Sequence, residues 1–189
     1  MSKIKKTTAK PLSAKKVWYF IQSVDAPIGS PALLPAFQTE GSVTYGGENI
    51  DEQTKMGRII QKVSDEHSID LTQYYVVGDE AIKVILDAKK TGKSVKVWRV
   101  EIDERVAKDV EESPGTKLYP AQFGYGMPDE PEISDGDELV EVSYTLNIIG
   151  ALQDGEFSLS DDDILSIEAL YEYQNPGETT GDFSEISKA

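Results

Sequence analysis

Apolar and polar residues alternate along this chain in short runs. In ELVEVSYTLNII (138–149), Val140, Val142, Tyr144, Leu146 and Ile148 face one way, and Glu141, Ser143, Thr145 and Asn147 the other. That is the pattern of a half-buried strand. HSIDLTQYYV (67–76) repeats it, with Ile69, Leu71 and Tyr75 opposite Ser68, Asp70, Thr72 and Tyr74. VWYFIQSV (17–24) is β-branched and aromatic and predicts a third strand. SVKVWRVEI (94–102) predicts a fourth whose phase shifts, with Val95 and Val97 on one face and Trp98, Val100 and Ile102 on the other. A bulge near Trp98, or burial of both faces, accounts for the shift.

One segment changes period. DEAIKVILDAKK (79–90) gathers Ala81, Ile82, Ile85, Leu86 and Ala88 on one helical stripe, with acids at its start, lysines at its end and Gly92 as C-cap. A single amphipathic helix among strands packs against a sheet. APIGSPALLPAF, with three prolines and a glycine, predicts no regular element. GSVTY and RIIQKV are short strand-like pieces flanking a glycine-rich loop. SDDDILSIEALYEY (160–173) is two-sided: Ser160 and Asp163 have capping-box spacing, yet Leu165, Ile167, Ala169, Tyr171 and Tyr173 alternate, and the alternation favours a strand. The sum is a mainly β fold, an antiparallel sandwich or barrel with one flanking α-helix. A basic arm (1–16), expected to be flexible and disordered in a lone subunit, precedes the β domain (17–173), and a flexible tail (174–189) follows it.

Charge narrows the function. The 189 residues carry 19 Lys and Arg against 34 Asp and Glu, a net charge of −15. The first 16 residues hold six lysines and no acid, while residues 101–189 hold 23 acids and four basic residues. Such a surface repels nucleic acid, which argues against DNA binding but not against DNA passing nearby. Cysteine is absent, so thiolate chemistry and disulfides are too. No apolar run approaches the roughly 20 residues needed to span a bilayer. VWYFIQSV, broken by Gln22, Ser23 and Asp25, is too short for a signal peptide.

No motif assembles an enzyme or a cofactor site. GSVTYGGENIDEQTKMGRI (41–59) has four glycines and a lysine, but Lys55 is followed by Met56, and Glu48, Asp51 and Glu52 would repel phosphate. His67 has Ser64, Asp65, Ser68 and Asp70 nearby, as any window of an acidic chain would, without a nucleophile elbow. The clusters SDGDE (134–138) and DGEFSLSDDD (154–163) lack the spacing of a calcium loop. Nothing selects one carboxylate pair for glycoside hydrolysis.

The ordered landmarks are more telling. VWYFIQSVDAPIGSPALLPAFQTEGSV, NIDEQTKMGRI, TGKSVKVWRVEID, FGYG, SDGDELVEVSYTL and GALQDG follow one another over about residues 17–155. Together they resemble the major tail protein (tail tube) family of siphophages infecting Gram-positive bacteria. The resemblance implies a structural virion protein, assembled in the host cytoplasm, whose hexameric rings stack into a channel for genome ejection. It implies as partners further copies of the chain and tape-measure, tail-initiation and tail-terminator proteins, with double-stranded DNA passing unbound and no membrane. It also implies that the inter-strand loop is disordered in a free subunit and ordered by a neighbour. Gly46 and Gly47 would then supply flexibility, Glu48, Gln53, Thr54 and Met56 would belong to the contact, and Asp51, Glu52, Lys55 and Arg58 would pair across it. Asp70, Thr72, Glu141, Ser143, Thr145 and Asn147, the polar faces of the two cleanest strands, are the candidates for an acidic channel wall. Two alternatives stay open: a tube or ring component of a contractile tail, tail-completion ring or secretion apparatus, and a monomeric β-sandwich module binding a host surface.

Overall fold

The computed structural model describes residues 6–111, 113–136 and 138–168. In chain order they form β1 (Val17–Ser23), β2 (Gln38–Gly46), β3 (Asn49–Thr54), β4 (Gly57–Lys62), β5 (Glu66–Tyr74), α1 (Glu80–Thr91), β6 (Val95–Glu101), β7 (Lys108–Asp109), β8 (Thr116–Ser134), β9 (Glu141–Ile148), β10 (Gln153–Ser160) and α2 (Asp161–Glu168). The main antiparallel sheet runs β1-β6-β8-β9-β5-β2, with β7 and β10 also paired to β8. Strand β8 is 19 residues long and serves two neighbourhoods. Its first half lies between β6 and β10, and its second half pairs with β9.

The sheet curls until its two ends meet through side chains. Gln38 on β2 accepts from the Tyr19 amide at 3.1 Å and donates to the Tyr19 carbonyl at 2.8 Å. The Tyr45 hydroxyl donates to Gln122 Oε1 on β8 at 2.8 Å. The result is a barrel left open at the β1–β2 seam, where side chains rather than a backbone ladder close the gap.

Burial follows the alternation. Tyr19, Ile21, Ile69, Leu71, Val95, Val97, Val142, Tyr144, Leu146 and Ile148 pack inside the curl with Ile82, Ile85 and Ala88 of α1. The FGYG landmark belongs to this packing, since a Cβ on Gly126 would stand 2.8 Å from Leu146 Cβ. A second cluster lies behind β1 and β6: Phe20, Val100, Ile102, Tyr119, Ala121 and Leu159, with Trp18, Trp98, Ile164 and Ile167 packed against it. The phase shift in β6 is therefore burial on both faces. Its register with β1 runs unbroken from Val95 to Glu101, without a bulge at Trp98.

Helix α1 begins at Asp79, whose side chain accepts from the Ala81 amide, and ends on Gly92 in the left-handed conformation, as its sequence predicts. Three expectations need correction. Residues 161–168 are helix and not strand, because Ser160 and Asp163 bond reciprocally: the Ser160 amide and hydroxyl donate to Asp163 Oδ2 at 2.9 and 2.6 Å, and the Asp163 amide donates to Ser160 Oγ at 3.1 Å. The first-turn acids Asp161–Asp163 also favour the positive end of the helix dipole. The alternating Ala169, Tyr171 and Tyr173 lie outside the described residues, as does the 174–189 tail.

Tyr75 is not part of the β5 face. The strand ends at Tyr74, and the next core-facing position inward is Gln73, which is buried. The basic arm is docked over part of its length. Arg105 donates to the carbonyls of Lys10 and Pro11 at 3.0 and 3.4 Å, Ala14–Lys16 form a 3-10 turn, and the Ile102 amide donates to the Lys16 carbonyl at 2.7 Å. Residues 1–5 of the arm lie outside the described residues.

Candidate functional site

The glycine-rich stretch 41–59 folds as the end of β2 and a separate two-stranded ribbon, β3–β4, which runs in register from Asn49↔Lys62 to Thr54↔Gly57. Its glycines do not supply looseness. A Cβ on Gly46 would stand 2.6 Å from the Glu66 carbonyl oxygen, and one on Gly47 2.2 Å from that of Ser64. The Gly-Gly pair lets two backbones meet at the base of the ribbon. At the tip, Gly57 adopts φ 127° and Thr54 Oγ1 holds the turn, donating to the Gly57 carbonyl at 2.7 Å and accepting from the Met56 amide at 3.1 Å.

The ribbon's charges are partly spent within it. Arg58 forms a two-pronged ion pair with Asp51, its Nε donating at 2.6 Å, and this pairing holds the Asp51 carboxyl below the usual range. Its apolar residues are left outside. Pairing puts Ile60, beside Asp51, on one face and Ile50 and Ile59 on the other. Ile50, Ile59 and Ile60 are all about half exposed or more, and Met56 at the tip is fully exposed. A lone two-stranded ribbon is marginal in water, and one with isoleucines on both faces gains stability when both are covered.

The six candidate wall residues share one face. Register aligns Ser42, Asp70, Thr145 and Asp129 in one row across β2, β5, β9 and β8, and Glu40, Thr72, Ser143 and Glu132 in the next. Asn147 and Glu141 extend the face toward its two ends, opposite Ser68 and Tyr74. Asp70 is the centre of the first row: its two oxygens accept from Ser42 Oγ at 3.1 Å and Thr145 Oγ1 at 2.5 Å. Asp129 accepts from Asn147 at 3.4 Å and from Lys89 of α1 at 2.8 Å, and Lys89 is the main reason its carboxyl titrates below the usual range. Carboxylates and hydroxyls thus dominate a four-stranded surface, hydrogen-bonded strand to strand.

The seryl-histidine relay is not assembled. His67 points inward, where its Nδ1 accepts from the Leu152 amide at 3.0 Å and its ring meets Tyr45 edge-on. Asp65 lies 3.7 Å from His67 Nε2 and the Leu152 amide occupies Nδ1, so neither ring nitrogen is turned to a serine, and Asp70 and Ser68 lie on the opposite face of β5. Among the described residues no group of three or more His, Asp or Glu converges as a metal site. Asp163, from the acidic cluster 154–163, is the reciprocal partner of the capping Ser160 in the first turn of α2.

Sequence reasoning missed the buried polar line that joins sheet to helix. Tyr144 Oη donates to Gln73 Oε1 at 3.1 Å, Gln73 Nε2 donates to Asp79 Oδ2 at 2.8 Å, and Asp79 also accepts from the Ala36 amide at 3.2 Å. Burial pushes the Tyr144 hydroxyl up, so it stays a donor. The visible signal was Gln73 itself, a polar residue at a core-facing position of an alternating strand.

A family model described as phage tail tube protein matches residues 13–154. The tail tube protein of Bacillus phage SPP1 is 41% identical over 174 residues, which is 91% of this chain and 62% of that relative, so the chain spans less than two thirds of the relative's length. The SPP1 tail tube structure, determined by solid-state NMR and cryo EM, superposes with a TM-score of 0.63 at 38% identity, covering 91% of this chain and 96% of that one. The tail of an empty gene transfer agent particle shares the fold, with a TM-score of 0.57 at 12% identity over 77% of this chain and 99% of its own. With its landmarks, its fold and most of its length matched in this way, the chain belongs to the phage tail tube protein family.

Proposed function

We propose that this chain is a structural subunit of a phage tail tube, assembling with itself into stacked six-fold rings that form the channel for the genome, and that it performs no catalysis. The observation that carries the reading is the 41% identity to the SPP1 tail tube protein across nine tenths of this chain. The ribbon Asn49–Lys62 is the assembly element. Its isoleucines on both faces, together with the exposed Met56, suit it to a seat between neighbouring subunits.

The polar face of β2, β5, β9 and β8 lines the lumen. It carries Glu40, Glu66, Asp70, Asp129, Glu132 and Glu141, against which Lys89 stands as a counter-charge on Asp129. A lysine-lined wall would hold phosphates by counterion release, and every ring would repeat the contact. Even about 1 kcal/mol per site, the order of an exposed ion pair, sums to a brake along a duplex. Carboxylates and hydroxyls keep water at the wall instead. The tape-measure, tail-initiation and tail-terminator proteins are the further partners of this reading.

Electron microscopy of the concentrated protein, alone and with tail-initiation proteins, tests it. Tubes of uniform width are expected. A strict monomer with saturable glycan binding would replace this reading with a host-surface module.

A further inference from the structure

His67 is the chain's only histidine, and cysteine is absent. Apart from the terminal amine, it is the one group whose ordinary titration falls between about pH 5 and 8. A tube subunit has no evident use for it. Its surroundings nevertheless make it a joint between two parts of the fold that share no strand pairing, the root of the ribbon and the start of β10.

On one side, β4 ends at Lys62, β5 begins at Glu66, and Gly46 and Gly47 press against the Glu66 and Ser64 carbonyls. Asp65, in the turn between the strands, pairs with Lys62, which holds its carboxyl below the usual range; His67 adds to that effect. Asp65 Oδ1 stands 3.7 Å from His67 Nε2, too far for a hydrogen bond but close enough for attraction. On the other side is the β9–β10 turn (149–152). The Leu152 amide donates to His67 Nδ1 at 3.0 Å, and Leu152 itself belongs to the core.

These contacts set the tautomer. An imidazole nitrogen that accepts is unprotonated, so neutral His67 carries its proton on Nε2, toward Asp65. A second proton must go to Nδ1, where it would face the Leu152 N–H. Two donors cannot share that line, so charging the ring breaks the bond. The imidazolium is drawn at the same time to Asp65, in competition with Lys62. The remaining neighbours do not relieve the conflict at Nδ1. Tyr45 of β2 meets the ring edge-on, and its hydroxyl is committed to Gln122, which itself donates to Asp154 of β10 at 3.1 Å. Glu66 precedes His67 and is exposed. The His67 side chain is 11% exposed, enough for proton exchange with solvent.

We infer that His67 is a proton-operated latch: neutral, it ties the root of the ribbon to the β9–β10 turn, and protonated, it releases the Leu152 amide and turns toward Asp65. The latch stands on geometry within one subunit. Its consequence for tubes rests on the reading of the ribbon as the assembly element. A carboxylate shared with the imidazolium holds Lys62 less firmly, and Lys62 pairs with Asn49 at the ribbon's base. Tube formation therefore weakens as pH falls through the imidazole range.

Nuclear magnetic resonance on the full chain, below the concentration at which tubes form, tests the latch without any variant. As pH falls from about 7.5 to about 5.5, the Leu152 amide signal is expected to move with the same midpoint as the His67 ring nitrogens. At the upper end, Nδ1 is expected to read as the unprotonated nitrogen. A Leu152 amide that stays put while the ring titrates, a ring that does not titrate, or a neutral ring protonated on Nδ1 overturns the latch. His67→Gln keeps a carbonyl oxygen to accept from Leu152 but takes up no proton. Across the same range the parental chain is expected to need about fivefold more protein to form tubes, on the order of one net hydrogen bond, and His67→Gln is expected to show no change. Equal pH dependence of the two overturns the effect on assembly. Tubes from a chain whose residues 48–63 are replaced by a Gly/Ser linker overturn the ribbon's role, and the effect on assembly with it, while the Leu152 titration still decides the latch.

Discussion

Gln73 occupies a core position where alternation calls for an apolar side chain, and it is kept there by partners on two elements. Gln73→Leu leaves the Tyr144 hydroxyl buried without its acceptor, a loss expected to cost about 1–3 kcal/mol in urea denaturation. Adding Tyr144→Phe removes the orphaned group and restores most of that stability. Equal midpoints for Gln73→Leu and the parent would show that the line carries no weight. Asp103 makes a residue-scale prediction about pH. Its carboxylate receives the Arg105 guanidinium at 3.0 Å and 2.6 Å, and those bonds hold its pKa at about 2, below the ordinary 3.8. A folded-state value depressed in this way contributes stability above pH 4 that fades as pH falls toward 2. Arg105→Ala therefore lowers the melting temperature at pH 6 more than at pH 2. The same substitution releases the Lys10 and Pro11 carbonyls, so proteolysis of the arm at its lysines becomes faster.

At the scale of elements, the strands and α1 were legible because one face of each is buried against one core, which writes the period into the sequence. Strand β9 and the inward residues of β5 follow their alternation up to Leu71. What was not legible was decided by partners. In α2, local alternation competed with a capping pair, and the reciprocal Ser160–Asp163 bonds won. Strand β8 was invisible as a 19-residue unit because two different neighbours pair with its halves, so no single period spans it. Of the ribbon, RIIQKV was legible as a strand, while Asn49–Thr54 read as loop because Ile50 is its one apolar side chain and leaves no alternation to see. The Gly-Gly base was visible as composition, but its reason, two carbonyls too close for any Cβ, needed coordinates. Replacing residues 46–57 by a short Gly/Ser linker should leave the subunit folded, since loop length changes cost little entropy. Unfolding monitored by circular dichroism should shift by no more than a few degrees, while sedimentation shows that assembly is lost. Tubes at normal yield would move the assembly role elsewhere.

For the whole molecule, the acidic balance gains meaning from where it sits. Six carboxylates share the hydroxyl-rich face with Asp70 at its centre, and the apolar face behind it is committed to the core. Glu141→Lys leaves that core untouched, so tails should still assemble, but DNA release should slow and recover in high salt, where phosphate contacts weaken. The most direct measurement is a helical reconstruction of the assembled protein at side-chain resolution. The account predicts Glu141, Ser143, Thr145 and Asp70 on the inner wall, with the Asn49–Lys62 ribbon crossing from one ring to the next. Density that puts this face on the outside of the tube, or confines the ribbon to its own ring, would contradict it.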